Sequence, residues 1–562
     1  MRIVYRYISF FAAVMCSGVL AAQNLDPTVE VSRAYEAKIA EAKKPLREMT
    51  VPDSVNTFRL DFDYSVFEKP YKGAYDFSPY LMSMRPTALA YNPRTLYLKA
   101  GAGYRLYPEL DLIWSPMLKK GLCLDVYAVH DSYVGDYRTI GLNAVDGNIG
   151  NLDWDGSGRW DGYDLASKVG ANLKYNWKAG VLGLNVDYYG LAGSDGAGKR
   201  GYDAVDLNFT IDSNKNPESE FVYNVAVDYR FGEDKMRYGQ NSLLTEHLFA
   251  VEMSLGPVFK HGHKVVFDLG SDLSAYGTAV NGFMAGFHFT PHYVLKKGKW
   301  SVDAGLRIDV MTGTDNQQFI YPDVKVNFAA VKDALNVYAS ATGGTKMNTY
   351  SSIIDKNHYF NLTSWSQGMD FLHADVERIN AFVGLRGRIS SKFSYDLRGG
   401  YACYANALLQ TIGAVDFQLH PGIVHGAYDK AFAALDWRWD DESFKFDGSV
   451  VYTHTWGFER AEHAFAPAAL TGNVALEYNW KRRIFVGVDC GFSTARKMVT
   501  GAASADIRIP GYADLGVSAQ YAMNRKLSFW LRGGNLCCMT IQRTPLYAEG
   551  GISCTAGICL NL

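Results

Sequence analysis

From Arg94 to its C-terminus the chain repeats one pattern, segments of about ten residues in which apolar and polar side chains alternate. In WSVDAGLRIDV (300–310), Trp300, Val302, Ala304, Leu306, Ile308 and Val310 share one side, while Ser301, Asp303, Gly305, Arg307 and Asp309 share the other. A period of two belongs to a strand with unlike faces. LTGNVALEYNW puts Leu470, Gly472, Val474, Leu476, Tyr478 and Trp480 together, and VGANLKYNW does the same with Val169, Ala171, Leu173, Tyr175 and Trp177. In both, the aromatics gather at the strand end, as a membrane-interface girdle requires. The polar faces carry both signs of charge: Asp228, Arg230, Asp303, Arg307, Asp309, Arg386, Arg388, Asp436 and Arg438. Such a set cannot line a dry core, so these nine are predicted to line a wet lumen.

Connection lengths alternate too. Very short links (118–120, 178–180, 260–262, 297–299, 390–391, 440–442) take turns with long ones, among them 132–163, 344–376 and 405–426. Short turns on one edge and long loops on the other mark an outer-membrane barrel rather than a soluble sandwich. Counting backwards from the C-terminus, with the short turns periplasmic and the long loops extracellular, gives about 22 strands, the first near Arg94. Hydrocarbon offers backbone N–H and C=O groups no partner, so a spanning sheet must close on itself. The predicted fold is an all-β transmembrane β-barrel of about 22 antiparallel strands with a short periplasmic N-terminal segment and no full plug domain.

The first residues read as an export signal, 1–22. Arg2 and Arg6 precede an apolar run that ends in small residues at Ala21 and Ala22. Met15 before Cys16 is too large for lipoprotein processing, so no lipid anchor is expected. Residues 23–93 are expected to hold a charged helix, an alternating strand at Phe58–Val66 and a connector punctuated by Pro70, Pro79, Pro86 and Pro93. Counting Phe58–Val66 in the barrel breaks the alternation of edges, so it is placed before the barrel, 94–562. Basic and acidic residues nearly balance, 56 against 58, which argues against a nucleic-acid partner. The seven cysteines after the leader have no CxxC spacing and read mainly as small apolar strand residues.

The last 36 residues, LSFWLRGGNLCCMTIQRTPLYAEGGISCTAGICLNL, resemble the closing strands of TonB-dependent receptors, with Arg532, Asn535, Leu536, Tyr547 and Gly551 at the matching places. Leu562 stands where that family usually ends in an aromatic. YPDVKVNFAAVKDALNVYASATGG (321–344), and PAALTGNVALEYNW followed by IFVGVDCGF, look like further receptor hairpins. The segment before the barrel is too short for the family's plug, and the layout is similar to a plugless, receptor-like barrel family of Bacteroidota. The resemblance implies outer-membrane lipid and the barrel-assembly machinery as partners. It also implies passage of a solute through a lumen closed by the N-terminal segment, by loops or by another protein. The alternative is a structural subunit whose residues 23–93 bind a periplasmic or outer-membrane protein. TVEVS (28–32) is a loose match to the strand with which such receptors engage TonB.

One stretch suggests a metal. In NLDWDGSGRWDGYD (151–164), Asp153, Asp155, Ser157, Gly158, Asp161 and Asp164 fall at positions 1, 3, 5, 6, 9 and 12 of an EF-hand-like loop, giving calcium candidates at Asp153, Asp155, Ser157, Asp161 and Asp164. Position 12 is Asp rather than the longer Glu, and Asp/Gly-rich surface loops often hold no ion. His130 and Asp131 could bind a ligand, and Tyr133, Trp154, Trp160 and Tyr163 could stack on a sugar, although a solvated His and a packed loop explain them as well. No GxSxG, HExxH or P-loop motif occurs, so no enzyme and no cofactor other than calcium is expected.

Overall fold

Alternation along each segment becomes one antiparallel ladder in a computed structural model of the chain. The structure describes residues 95–562 apart from 105–106, 117, 119–120, 146–148, 178, 195–198, 214–220, 239–241, 260–262, 279–281, 314–315, 332–333, 361–372, 416–417, 462 and 500–505. The expected leader 1–22, the segment 23–93, its strand Phe58–Val66 and TVEVS lie outside the described residues. Among the described residues, twenty-five strand segments form a single sheet, and 22 of them close into an antiparallel barrel. Each wall strand pairs with the next along the chain. The ring shuts where the first strand, Leu96–Tyr104, pairs with the last, Ser553–Asn561.

The seam depends on two glycines and a tryptophan. Gly101 lies directly opposite Gly557, and the Trp530 indole covers both, so that a Cβ on either would collide with the ring or with facing backbone. Lys99 sits 4.6 Å from the Trp530 ring centroid and is bonded to Glu109 on the neighbouring strand, with Asp111 3.7 Å away. The pairing of the first two strands satisfies this buried charge, and closing the ring lays the Trp530 ring over it.

The outward face is apolar, as the alternation predicts. Leu184, Val186, Leu207, Leu306, Ile308, Val383, Leu435 and Val488 are all exposed large hydrophobics. Aromatics bound this band. Trp439 lies level with Phe446 at the short-turn end, and Trp456 is exposed ten residues further along that strand. Ten residues span about 33 Å, which a strand tilted as barrel strands are converts to a band about 25 Å tall, the height of hydrocarbon.

Two expected long loops are corrected. Leu122–Val145 pairs with Ile149–Asn176 from Leu122↔Tyr175 up to Val145↔Ile149, and Phe393–Val415 pairs with Gln418–Asp440 up to Val415↔Gln418. Segments 132–163 and 405–426 are therefore tall hairpins standing above the wall. Cross-strand pairing satisfies backbone groups that a loop would leave to water. The Gly/Asp-rich stretch is accommodated by a bulge, a register shift between Arg138 and Ile140 beside Gly156 at φ +95°. There Asp155 Oδ1 accepts from the Ser157 and Gly158 amides at 2.8 and 3.0 Å. In the third expected loop, 344–376, a helix forms at Tyr350–Lys356.

Candidate functional site: a lumen with an infolded mouth

The barrel encloses a cavity of about 2050 Å³. Its wall on the strands between 221 and 331 carries paired ions. His292 is held between two carboxylates: Nδ1 lies 2.7 Å from Asp303 Oδ1, and Nε2 lies 3.1 Å from Asp268 Oδ2, off the hydrogen-bond direction. Lys325 meets Asp323 at 3.0 Å. Of the nine residues predicted to line the lumen, Asp228 and Arg307 border this cavity. Asp228 accepts a bond from Asn208, and Arg307 Nε donates to Asp309 Oδ1 at 2.8 Å. Arg230 forks onto both oxygens of Asp206 at 2.5 and 2.8 Å. Asp303 holds His292, Arg386 lies 5.4 Å from the Tyr338 ring, and Asp436 pairs with Arg398 at 3.4 Å. Arg388 is half-buried and Arg438 exposed near the short-turn edge.

The opposite, long-loop mouth is filled from within. Thr349 caps the helix Tyr350–Lys356 in a box with Ser352, each side chain accepting from the other's backbone N–H at 3.1 and 3.0 Å. The helix's first turn docks on buried Glu246 of strand Ser242–Pro257. Tyr202 and Tyr276 donate their hydroxyls to Glu246 at 2.9 and 2.8 Å, and the Ser351 amide reaches both carboxylate oxygens at 3.3 Å. Tyr276 Oη in turn accepts from the Tyr350 amide at 3.1 Å, and Tyr350 donates to Asp234. A carboxylate facing helix amides is favourable because those N–H groups have no partner within the helix. Around the latch, Tyr350, Ile353, Ile354 and Phe360 pack on Leu191, Tyr202, Leu244, Tyr276 and Ile423.

A second infolded segment, 535–552, enters from the last hairpin. Asn535 turns it at φ +46°, its amide bonded to Asp514 at 3.1 Å. Burial opposes charge on Arg543, yet neighbouring Glu549, Tyr512 and Asp514 hold its pKa above the ordinary guanidinium value. Arg496 donates to the Gln542 and Arg543 carbonyls at 3.1 and 3.0 Å, and Gln542 donates to the Leu152 carbonyl at 2.6 Å. Arg138 reaches Thr540 Oγ1 at 2.8 Å. The two infolded segments meet where Tyr359 stacks on Tyr547, centroids 4.1 Å apart and rings 3° from parallel. Burial first, then Asp164, pushes the Tyr359 hydroxyl's pKa up, so it stays neutral.

Three short strands complete a canopy. Asp506–Ile509 pairs in parallel with the tall hairpin at 149–151, then with Arg496–Val499. The latter pairs with Ala464–Phe465, which reaches Thr411. Leu152, Phe465, Met498 and Ile509 bury one another beneath it.

The calcium candidates lie along a strand. Asp153 Oδ1 accepts from the Trp154 amide at 2.7 Å, Asp155 is occupied by Ser157 and Gly158, Asp161 faces Asp136 across the ladder, and Asp164 contacts His358 Nδ1 at 3.0 Å. Across the ladder Asp153 lies opposite Gly141 and Asp164 opposite Tyr133, a separation of roughly 26 Å along the strand, and among the described residues no group of three or more His, Cys, Asp or Glu could hold a metal ion. This donor set does not fit one calcium ion. His130 Nδ1 lies 2.8 Å from Ser167 Oγ. The aromatics of the tall hairpin pack on one another, Tyr137 on Trp160 with centroids 4.4 Å apart and Arg138 over Trp154 at 4.5 Å. Sequence reasoning missed the latch, because Glu246, Tyr202, Tyr276 and Ser351 come from four separate segments and share no motif.

No family model matches the chain, and no curated protein matches it. Solved structures do. The FrpB iron transporter from Neisseria meningitidis superposes with a TM-score of 0.62 at 8% identity, over 84% of this chain and 82% of that one. The chain shares that protein's fold. The siderophore receptor PirA from Acinetobacter baumannii gives 0.60 at 9% identity, over 83% of this chain and 80% of that one. The copper transporter OprC gives 0.60 at 10%, with the same coverage. These neighbours are receptors and transporters rather than enzymes, and the likeness is one of fold.

Proposed function

We propose that the protein resides in the outer membrane and admits a polar solute through a lumen that its own segments keep shut. The single observation that carries this reading is the docking of the helix Tyr350–Lys356 on Glu246, which puts chain inside the ring on the long-loop side. A 22-stranded ring left empty would be a large aqueous leak, and segment 535–552 narrows the same mouth. The short-turn side is stoppered by residues 50–93. The Thr95 amide bonds the Leu562 carbonyl at 2.7 Å, so the described chain begins at the short-turn edge. That edge faces the periplasm and the tall hairpins face outward. The solute is polar, since the cavity wall carries His292, Asp268, Asp323 and Lys325. The likeness to siderophore, iron and copper carriers supports uptake over a structural role.

The test is conductance in planar bilayers. Wild type conducts weakly, deletion of 347–360 or of 50–93 raises conductance, and the double deletion raises it most, roughly tenfold or more. Deletions that leave conductance and antibiotic sensitivity of cells unchanged would refute self-closure.

A further inference from the structure

The short connections carry a charge pattern that transport does not explain. Lys297 and Lys299 flank the Gly298 turn, Lys481, Arg482 and Arg483 form the turn between Leu470–Trp480 and Ile484–Ser493, and Arg525 and Lys526 lie in the turn before Leu527–Gly534; all are exposed. The acidic turn at 440–442 interrupts the series, and Lys392 offsets it through Asp441 at 2.9 Å. The tall hairpin on the far edge is the reverse: Asp136, Asp153, Asp155 and Asp161 outnumber Arg138 and Arg159 there. A chain of almost no net charge therefore gathers basic residues on these short turns.

These cations sit directly beside the outward aromatics. Trp300 follows Lys299, the Lys481 ammonium lies 5.4 Å from the Trp480 ring centroid, and Tyr521 precedes the Arg525 turn; Trp300, Trp480 and Tyr521 are all exposed. Aromatic belts mark the headgroup level of a bilayer, and long basic side chains reach from there to phosphates. A protein partner would select one patch. Here the charge recurs along the chain, since the short links at 118–120, 178–180 and 260–262 also carry Lys in the sequence, as an annulus of lipid would require.

We infer that the short-turn edge is a docking surface for anionic phospholipid headgroups, which fix the depth and polarity of the barrel in its leaflet. This rests on the barrel spanning a bilayer and is independent of transport. Clusters of basic residues at a membrane surface favour anionic lipid in this way.

The experiment uses the full chain reconstituted in phosphatidylcholine vesicles, with brominated phosphatidylglycerol or brominated phosphatidylcholine competing to quench tryptophan fluorescence. Phosphatidylglycerol is expected to bind roughly fivefold more strongly at low salt, with the preference falling toward unity in 0.5 M salt at a Debye length of only a few Å. The variant R482Q/R483Q/R525Q/K526Q loses most of the preference, and R482K/R483K/R525K keeps it. A heat-modifiable band on gels reports folding; should the neutralised variant not fold, the salt dependence and the lysine variant decide. Equal binding of the two lipids overturns the inference. So does a preference unmoved by neutralisation or by salt, and so does equal lipid binding with a stoichiometric acidic protein retained by wild type from detergent extracts.

Discussion

The two edges of this barrel are built by different physics. At the short-turn edge each link joins neighbours in sequence: Trp300 directly follows Lys299, and Asn524 caps its own turn by accepting from the Lys526 and Leu527 amides at 2.7 and 2.9 Å. At the long-loop edge the contacts join residues hundreds apart, as in Arg138 to Thr540 and Tyr359 on Tyr547. The first edge needs only alternation and tight turns. The second needs a finished wall before any of its contacts can form, because long-range closure is favourable only once the ends are held together. Damage to the wall should therefore abolish folding, whereas damage to the mouth should leave a folded barrel that leaks.

Substitutions can break that division in order of severity. Gly557→Leu drives a side chain into the Ala100 carbonyl, Gly101 and the Trp530 indole. With backbone on the receiving side the cost exceeds the usual overpacking range of about 1–3 kcal/mol, so heat-modifiable protein should disappear from gels. Leu306→Arg places a cation on the lipid face of the wall, where Leu306 is more than half exposed. It should lower barrel stability in denaturant titrations by about 2–4 kcal/mol without changing the conductance of molecules that do fold. A leaky but stable Leu306→Arg barrel would blur the distinction between wall and mouth.

Glu246→Ala acts on the mouth. It strips the acceptor from Tyr202, Tyr276 and the Ser351 amide, a local cost of about 1–3 kcal/mol for buried groups left without partners. The folded band should persist while conductance rises and becomes noisy; a quiet, closed channel would show that Glu246 is not the latch. Tyr359 and Tyr547 should give the smallest effect. A double-mutant cycle to Ala is expected to return a coupling of about 0.5–1.5 kcal/mol, read as protease protection of segment 347–360. Zero coupling would mean that the two infolded segments close the mouth separately.

How far the sequence alone reaches follows the same division. The wall was legible because a strand's faces obey a period of two: Leu306 and Ile308 are exposed on the outer face while Asp303, Arg307 and Asp309 meet His292, one another and the Thr345 amide. The same rule applied to 132–163 and 405–426 would have extended both hairpins. Instead, the alternation of short and long connections suggested loops for both, and the Gly and Asp content of 132–163 agreed, although Gly156 and Asp155 mark only a bulge. That stretch also produced the EF-hand pattern, whose spacing has meaning only where the backbone curls around an ion. The helix at 350–356 has a sequence signal in Thr349 and Ser352, but nothing local says that its first turn meets Glu246, since that carboxylate sits a hundred residues upstream among Leu and His.

The claim beneath all of this is that one face of each wall strand meets hydrocarbon and the other meets water. Spin labels placed singly along Trp300–Gly313, in a cysteine-free chain reconstituted in lipid, test it directly. The account predicts that oxygen relaxes labels at 306 and 308, that a water-soluble nickel chelate relaxes those at 303 and 307, and that the two profiles alternate out of phase. Nickel accessibility at 306 and 308, or no alternation at all, would contradict it.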